Sequence, residues 1–303
     1  MNIEFIAFES LGVRSMSTFV ETKDLRIYID PGISLAPRRY GLPPHKKEID
    51  RLNELAKKIY ERAKESDIII ITHYHFDHHD RGKRIPLDIY DRKIVYIKDP
   101  VNNINTSQRI RASIFIKLIK ERVKSIEIAD NNKLRVGSTE IIFSPAVPHG
   151  TDPRLGYVVQ VYIRDKDQNF LYTSDIEGAP LNEHLEWILR HKPEILLIDG
   201  PLTYMLGYKL SYEDLNKSIA NMSSIIERIS PDIMIIEHHL LRDRDYREKI
   251  REIFNKAEEF NVKIYTAAEY MGLENIFLEA YRDVLYGKTV SKENEDVENY
   301  EDP

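Results

Sequence analysis

The 303-residue sequence predicts a mixed α/β protein, and three features support this fold class. Short runs of β-branched and aromatic residues recur along the chain, as in buried strands. From about residue 181 these runs alternate with stretches of helical length and helical periodicity. The composition, 42% hydrophobic and 31% charged, is that of a globular protein with a substantial core. We therefore expect a single domain over residues 1–287.

In the first half of the chain, apolar runs between turn signals predict strands, and two longer periodic stretches predict helices. The expected strands are 3–8, 16–21, 25–29, 68–71, 93–97, 126–128, 134–136 and 140–144. The expected helices are 46–64 and 105–120. Between residues 33 and 45 the chain is rich in Pro, Arg and Gly, which predicts an irregular loop.

The second half begins with a predicted hairpin, in which a polar turn separates strands 157–164 and 170–173. Helices are then expected at 181–191, 212–229, 246–260 and about 269–285, with strands at 195–199, 233–237 and 262–265. Residues 288–303 carry six acidic residues and two lysines and almost no aliphatic residues, so we expect a disordered acidic tail.

Composition excludes several classes of protein. The chain has no cysteine, so disulfides, thiolate metal sites and cysteine nucleophiles are excluded, and any metal must be held by His and carboxylate. The net charge of −6 falls mostly on the tail, which leaves a nearly neutral body and argues against a large basic surface for duplex nucleic acid. No apolar run is long enough to cross a bilayer, and the N-terminus does not resemble a signal peptide. We expect a cytoplasmic protein without a membrane partner.

The most informative stretch is residues 68–79, which read IIIITHYHFDHH. Four consecutive isoleucines favour a strand buried on both faces. The chain leaves this strand at Thr72, and a His-x-His-x-Asp-His motif follows, made by His73, His75, Asp77 and His78. Four potential ligands within six positions are too close for separate roles, so the motif predicts a loop that binds metal ions.

The same pattern, an apolar strand followed by Asp or His, occurs elsewhere. Asp30 follows the 25–29 strand, Asp175 follows the 170–173 strand, and the pair His238 and His239 follows the 233–237 strand. His149 comes after a strand and a proline-bounded turn. If the strands pair with the same ends together, these residues and the histidine motif meet at one rim of the sheet. Such a rim, without cysteine, is typical of a binuclear site for Zn²⁺, Mn²⁺ or Fe²⁺.

With these motifs in this order, the chain resembles the metallo-β-lactamase fold superfamily over most of its length. Within that superfamily it is most similar to the archaeal group UPF0282, on the strength of residues 73–79, HYHFDHH, and 238–243, HHLLRD. The resemblance implies a four-layer αββα sandwich and a metal-dependent hydrolase. It also implies that the nucleophile is a hydroxide bound to two divalent metal ions, with zinc the first choice and manganese or iron the alternatives.

The resemblance also assigns roles to individual residues. His73, His75 and His149 would bind one metal ion. Asp77, His78 and either His238 or His239 would bind the other. Asp175 would bridge the two ions, and Asp77 and Asp175 would be the catalytic carboxylates, with Asp77 orienting the water or carrying its proton. Asp30 would orient the histidine loop from behind.

The residues themselves leave some alternatives open. Strand alternation would direct His238 and His239 to opposite sides, so only one should reach the metals, and we favour His238 slightly. Asp30 could instead cap the Pro31-Gly32 turn, and Asp175 could be a turn residue after the hairpin. The other histidines, His45, His184 and His191, have no ligand-type neighbours and are expected at the surface.

Arginines recur near the expected rim and favour an anionic substrate such as a phosphodiester. The candidate substrate-binding residues are Arg38, Arg39, Arg109 and Arg242. A thioester or lactone hydrolase of the same fold and a metal-binding scaffold without catalysis remain alternatives. The expected partners are a small anionic substrate or single-stranded nucleic acid, and a homo-oligomer is compatible with the sequence.

Overall fold

The computed structural model describes residues 1–288, in which two β-sheets face each other. The first sheet has six strands in chain order: β1 (Asn2–Phe8), β2 (Met16–Glu21), β3 (Arg26–Ile29), β4 (Ile68–Ile71), β5 (Ile94–Ile97) and β6 (Ser125–Ile128). Strands β1 to β3 are antiparallel and β3 to β6 are parallel. All four isoleucines of β4 are buried, as expected for a central parallel strand.

The second sheet has seven strands in the order β15-β14-β13-β12-β11-β8-β7. They are β7 (Lys133–Val136), β8 (Thr139–Phe143), β11 (Val161–Asp165), β12 (Gln168–Tyr172), β13 (Ile195–Asp199), β14 (Ile233–Glu237) and β15 (Lys263–Tyr265). A separate two-stranded ribbon pairs β9 (Val147–Pro148) with β10 (Tyr157–Val158). Strands β12 to β15 are parallel, so their carboxyl ends share one edge.

Helices cover the outer faces of both sheets. The long helices are α1 (Lys46–Glu65) and α2 (Thr106–Ile119) beside the first sheet, and α3 (Asn182–His191), α4 (Tyr212–Ile229) and α6 (Arg251–Glu259) beside the second. The short helices are α5 (Tyr246–Lys249), α7 (Ala267–Tyr270) and α8 (Arg282–Leu285). No helix within residues 1–288 is long and apolar enough to cross a membrane.

In the second sheet, the side chains of successive strand residues point to opposite faces and therefore belong to two different cores. In β13, Leu197 belongs to the core between the sheets, whereas Leu196 and Ile198 belong to the core beneath α3, α4 and α6. The core between the sheets is continuous with the apolar side chains that α1 and α2 pack against the outer face of the first sheet. The four-layer αββα sandwich expected from the resemblance is therefore confirmed.

Most expected elements are confirmed to within two residues, but three predictions are wrong in detail. The expected strand 157–164 is interrupted, because Val159 donates its backbone N–H to Thr72 of the first sheet and the chain changes partner there. The expected helix 246–260 is divided at Ile250 into α5 and α6.

The expected helix 269–285 does not form as one element. The chain turns at Gly272, whose φ of +70° is in the left-handed region, and only α7 and α8 are helical. Long-range contacts hold the segment between them: Ile276 donates its N–H to the Ser10 carbonyl, and the buried Arg282 pairs with Glu48 of α1. Tertiary contacts have here overridden local helical periodicity. The predicted acidic tail lies outside the described residues, apart from Lys288.

Candidate metal centre

The candidate ligands lie at the carboxyl ends of parallel strands. Asp30 and His73 follow the parallel neighbours β3 and β4, and therefore leave the same edge of the first sheet. In the second sheet, Asp175 follows β12 and His238 follows β14, again at one edge. The two edges face each other, so both sheets contribute side chains to one buried cluster.

Asp175 lies at the centre of this cluster, among four imidazoles. Its Oδ2 is 3.5 Å from His73 Nε2, 3.2 Å from His149 Nε2 and 3.4 Å from His238 Nε2, and its Oδ1 is 3.0 Å from His78 Nε2. Its side chain is 1% exposed. A single carboxylate within reach of four ring nitrogens has the arrangement needed to connect two cation positions.

Within residues 1–288, five overlapping groups have ligand atoms within 4.8 Å of one another; one of them joins His239 to Asp175 and His238, and two correspond to the sets expected for the two metal ions. One set contains His73, His75, His149 and Asp175; the other contains Asp77, His78 and His238. The structure thus brings together residues that are up to 165 positions apart in the sequence, and each set has the nitrogen and oxygen donors that divalent transition metals prefer.

Buried polar atoms without partners test whether a metal fits. Among residues 1–288, His73 Nε2, His78 Nε2 and Asp175 Oδ1 are buried and make no hydrogen bond, because the 3.0 Å contact between His78 Nε2 and Asp175 Oδ1 does not have hydrogen-bond geometry. Burying such atoms unsatisfied costs free energy, and native structures usually satisfy them. Because all three belong to the same cluster and all are good ligands, the donor set fits divalent cations.

Two carboxylates behind the cluster orient its histidines. Asp30 Oδ2 is 2.8 Å from His78 Nδ1, and Glu9 Oε2 is 2.8 Å from His238 Nδ1. Each carboxylate accepts the Nδ1 proton, so each ring presents Nε2 towards Asp175. Asp30 also accepts hydrogen bonds from the backbone N–H and hydroxyl of Thr72 and from the hydroxyl of Tyr172, which fixes the start of the histidine loop.

The electrostatics favour positive charge at this point. Burial alone raises the pKa of the Asp175 carboxyl, but His78, His238 and His73 outweigh it and hold that pKa well below its usual value. Burial likewise lowers the pKa of His238, and Glu9 and Asp175 then raise it to about 10. The buried carboxylates therefore create a field that a divalent cation can neutralise.

His73 differs from its neighbours. Burial, reinforced by the charge of His78, lowers the pKa of His73 well below its usual value. The ring is therefore neutral near pH 7, which is the form of imidazole that binds metals.

His238 and His239 are both buried, but they have different partners. The chain enters a 3-10 turn at His238–Arg242, so the strand alternation used to separate the two rings does not extend to them. His238 Nε2 lies 3.7 Å from Asp77 Oδ2 and joins the Asp77–His78 set. His239 Nδ1 lies 3.0 Å from Asp199 Oδ2, and its ring lies near His149 and Glu177. The geometry favours His238 as the partner of Asp77 and His78.

The backbone is unusual at three strand exits in the cluster. Asp30, Ser174 and His238 have φ values of +51°, +56° and +59°, in the left-handed region that costs non-glycine residues about 1 kcal/mol or more. Asp and His are among the side chains that tolerate this region best. Each sharp exit re-aims the chain directly after an extended strand, which directs the following side chains into the cluster.

A close backbone approach also positions the histidine loop. A Cβ atom on Gly32 would lie 2.3 Å from the carbonyl carbon of His78 and 2.3 Å from the N of His79. Only glycine fits here, because backbone atoms cannot move aside as a flexible side chain can. The Asp30-Pro31-Gly32 turn is thus packed against the histidine loop.

The arginines singled out in the sequence do not form one cluster. Arg242 is buried beside the metal centre, but its guanidinium pairs with Glu9 at 2.8 Å. Arg39 donates to the Arg242 carbonyl and packs against the rings of Tyr40 and Tyr204. Arg38 and Arg109 are exposed and donate to the carbonyls of Gly41 and Val101. The structure therefore brings only Arg242, and Arg39 through it, to the site.

The prediction that the remaining histidines are at the surface is wrong for His184, which is fully buried. Its Nε2 is 2.9 Å from the Pro148 carbonyl, directly before His149. His79 has the same role on the other side, since its Nδ1 is 2.9 Å from the His75 carbonyl. Both rings hold the backbone of a ligand-bearing segment. His45 and His191 are half-buried, and His45 caps the N-terminus of α1.

Sequence reasoning missed several residues that support the cluster. Glu9 follows β1 and Asp199 ends β13, so the strand-exit pattern would have found both had Glu and strand-terminal Asp been included. Glu177 lies 3.4 Å from His149 Nδ1, but nothing in the sequence marks it. Gln108, at the start of α2, lies 3.3 Å from His75 Nε2 and likewise has no sequence signal.

Similarity to known proteins agrees with this geometry. Residues 25–239 match the family described as beta-lactamase superfamily domain. The metallo-β-lactamase fold protein YhfI from Bacillus subtilis has a similar structure, with a TM-score of 0.53, 13% sequence identity and coverage of 90% of this chain and 96% of that one. At this identity the likeness extends to the fold alone.

Closer relatives come from archaea. The UPF0282 protein of Sulfurisphaera tokodaii is 55% identical over 289 residues, covering 95% of this chain and 94% of the relative. The UPF0282 protein of Sulfolobus acidocaldarius is 56% identical over 282 residues, covering 93% and 91%. With the fold, the buried His/Asp sets and these relatives in agreement, the chain belongs to the UPF0282 group of the beta-lactamase superfamily, whose members are generally metal-dependent hydrolases.

Proposed function

We propose that the protein is a binuclear metal-dependent hydrolase that acts on an anionic ester, such as a phosphodiester. The observation that carries this proposal is the position of Asp175 among the Nε2 atoms of four buried histidines, with unsatisfied lone pairs on His73, His78 and Asp175 itself. Because burying such atoms unsatisfied costs free energy, they support bound metal, and turnover in the test below separates a hydrolase from a metal-binding scaffold.

Each residue has a role in this proposal. His73, His75 and His149 would hold one divalent ion, Asp77, His78 and His238 would hold the other, and Asp175 would contribute to both. Zinc suits such nitrogen and oxygen donors, and manganese and iron are alternatives. Two such ions would lower the pKa of a water molecule until hydroxide exists near neutral pH, and would neutralise charge developing on the ester oxygens.

The side chains around the ligands act on orientation and protons. Asp30 and Glu9 accept hydrogen bonds from the Nδ1–H groups of His78 and His238, which leaves Nε2 of each ring to bind metal. Asp77 is half-buried, whereas Asp175 is fully buried, so Asp77 is the carboxylate nearer the opening. Burial alone would raise the pKa of Asp77, but the charges of His78 and His238 lower it to about 2, so the side chain is an ionised carboxylate that can bind a cation and accept a hydrogen bond from water.

The charge at the opening supports an anionic substrate. Arg14 and Arg111 line a narrow opening together with His75 and Asp77. Arg242 lies behind Asp77, with its Nη2 3.7 Å from Asp77 Oδ2. Guanidinium groups favour phosphate and carboxylate groups, although Glu279 and Glu9 neutralise much of the charge of Arg14 and Arg242.

The test combines metal analysis with a substrate panel. Protein loaded with zinc, manganese or iron would be assayed on bis-p-nitrophenyl phosphate, an acyl thioester and a lactone. We expect two metal ions per chain and the highest kcat/KM for the phosphodiester. Asp77→Ala should lower kcat by at least about a hundredfold while the protein stays folded, whereas the exposed control Asp91→Ala should change little.

Different failures have different meanings. A higher kcat/KM for either uncharged ester would refute the anionic preference and favour a thioesterase or lactonase. Bound metal with no turnover of any substrate would favour a scaffold. A single metal ion per chain at saturation would refute the binuclear mechanism.

A further inference from the structure

We propose that a cleft beside the histidine loop binds a long apolar group of the substrate, so that the natural substrate is an amphipathic anion. This inference rests on the proposed hydrolase function and specifies its substrate class. The cleft, which we call the α1 cleft, has a volume of about 650 Å³ and lies between α1, the 33–44 loop and the segment 80–84. Besides Phe76, its apolar lining is Ile33, Leu35, Pro37, Pro44, Ile49 and Leu52, of which Ile33 and Leu52 are 1% exposed and belong to the core beneath it.

The lining of the α1 cleft is unusual for a solvent-facing surface. Ile49 lies in the first turn of α1 and is 45% exposed, although the exposed face of a helix normally carries polar residues. Apolar side chains from the 33–44 loop face the same space. The volume is within the range of small-molecule sites, which are mostly apolar with a few polar groups that fix orientation.

The α1 cleft meets the metal centre at Phe76. Ser34, Leu35 and Phe76 line both the cleft and the narrow opening that reaches His75 and Asp77. The opening measures about 10 Å³, which is space for about one water molecule. A group held in the cleft is therefore adjacent to the ligands, with the side chains of Leu35 and Phe76 at the boundary between the two spaces.

Basic side chains surround the apolar lining. Arg81, Lys83 and Arg84 line the α1 cleft, and within residues 1–288 none of the three forms an ion pair with a carboxylate. Asp80, the acidic residue of the lining, accepts hydrogen bonds from the backbone N–H groups of Lys83, Arg84 and Ile85. It therefore fixes the path of this loop, while the basic side chains remain available to an anion.

The ring of Phe76 contacts two cations, Arg81 of the α1 cleft and Arg111 of the narrow opening. The guanidinium carbons of Arg81 and Arg111 lie 4.5 and 4.6 Å from the centre of its ring. These cation–π contacts place positive charge at the junction of the cleft and the opening. Apolar lining, basic rim and continuity with the metal centre together match a ligand with an apolar chain and an anionic group.

The test measures binding without turnover. The full chain, loaded with zinc, would be titrated calorimetrically with n-octyl phosphate and with ethyl phosphate, below the concentration at which micelles form. Because each buried methylene contributes to affinity, we expect n-octyl phosphate to bind at least about tenfold more tightly than ethyl phosphate. Phosphate monoesters test the binding site independently of phosphodiester hydrolysis.

Matched variants locate the binding site. Ile49→Asp should weaken n-octyl phosphate about fivefold or more, whereas Ile110→Asp on α2, where the isoleucine is 57% exposed, should have no effect. The double variant Lys83→Glu/Arg84→Glu should weaken both phosphates, whereas Lys117→Glu on α2 should weaken neither.

Equal affinity for the two phosphates, or equal effects of Ile49→Asp and Ile110→Asp, would overturn the inference even if phosphodiester hydrolysis is found. Displacement of n-octyl phosphate by a short oligothymidylate at lower concentration than by ethyl phosphate would assign the α1 cleft to nucleic acid and would also overturn it. Chain-length preference that depends on Ile49 would support the inference, even if the hydrolase proposal fails.

Discussion

The two sheets supply the metal centre in opposite ways. The first sheet contributes His73, His75, Asp77 and His78 from one loop after β4, whose backbone is closed by hydrogen bonds from the N–H groups of His78 and His79 to the His75 carbonyl. The other ligands come from three separate strand exits, Asp175 and His238 from the second sheet and His149 from the β9–β10 ribbon beside it. The first group depends on local loop geometry, whereas the second depends on the register of the whole sheet.

This difference predicts how many metal positions should be affected when a single ligand is substituted. In the histidine loop a lost ligand removes one donor from one set. In the second sheet Asp175 contacts histidines of both sets, so its loss should affect both at once. The following predictions, from the largest expected effect to the smallest, test this contrast.

The largest effect is expected for Asp175→Asn. Because Asp175 is proposed to bind both ions, metal content should fall below one ion per chain and activity by at least about a thousandfold, whereas His75→Asn should retain about one ion. Elemental analysis after gel filtration measures the difference. Equal metal content in the two variants would contradict a bridging role for Asp175.

The next effect is expected for Gly32→Ala. The added Cβ would collide with the backbone of His78 and His79, so the free energy of unfolding should fall by about 2–3 kcal/mol and metal content should fall with it. Gly207→Ala is the control, since its Cβ would meet no atom within 4 Å and should cost about 1 kcal/mol through its φ of +84° alone. Urea denaturation compares the two, and similar losses would show that the turn does not support the loop.

Removing the orienting carboxylates should have a moderate effect. Asp30→Asn and Glu9→Gln keep the shape of the side chain but weaken the hold on His78 and His238, and each should lower zinc affinity about 10- to 100-fold. The loss should be greater for Asp30→Asn, because Asp30 also binds Thr72 and Tyr172. Calorimetric zinc titration measures both. The exposed variant Glu54→Gln is the control, and unchanged affinity in both test variants would contradict the orienting role.

The last effect concerns pH and is the smallest near neutrality, because it develops only in acid. Burial lowers the pKa of His184 to about 4, against about 6.5 in an unfolded chain, and lowers that of His79 to about 3. Between the folded-state pKa and the unfolded-state pKa, each histidine binds a proton only in the unfolded chain. The free energy of unfolding should therefore fall as the pH drops below about 6.5. For His184 this loss is complete near pH 4 and amounts to at most about 3 kcal/mol.

His184→Gln should therefore flatten the dependence of the melting temperature on pH between 6.5 and 4, as should His79→Gln. If the second sheet is the more fragile half of the site, the metal content of His184→Gln should also be the lower of the two. An unchanged pH dependence in both variants would refute the assigned protonation.

The part of the site that could be predicted from sequence is the part that is local. The spacing of His73, His75, Asp77 and His78 after an apolar strand indicates a metal-binding loop without information from the rest of the chain. The strand exits at Asp30, Asp175 and His238 show the same pattern of an apolar strand followed by Asp or His. Strand and helix positions were also predictable wherever periodicity and burial agree, as in β4 and α4.

What could not be predicted depends on pairs far apart in the chain. Arg14 and Glu279 are 265 positions apart and neutralise each other, and Glu9 pairs with Arg242 across a similar distance. No local pattern indicates such pairs. Arg242 was therefore expected to bind substrate, whereas its guanidinium group forms a buried ion pair that stabilises the fold. The missing helix over 269–285 has the same origin, because contacts of residues 276 and 282 with the N-terminal part of the chain replace helical hydrogen bonds.

The narrow opening at Phe76 also has a kinetic consequence. Its space of about 10 Å³ excludes a bulky chelator such as EDTA from ligands as buried as His73 and His78. Removal of metal should then be limited by how often the protein opens, and its rate should not rise with chelator concentration. The rate of metal loss would thus measure how often the two sheet edges separate, and not how tightly the chelator binds metal.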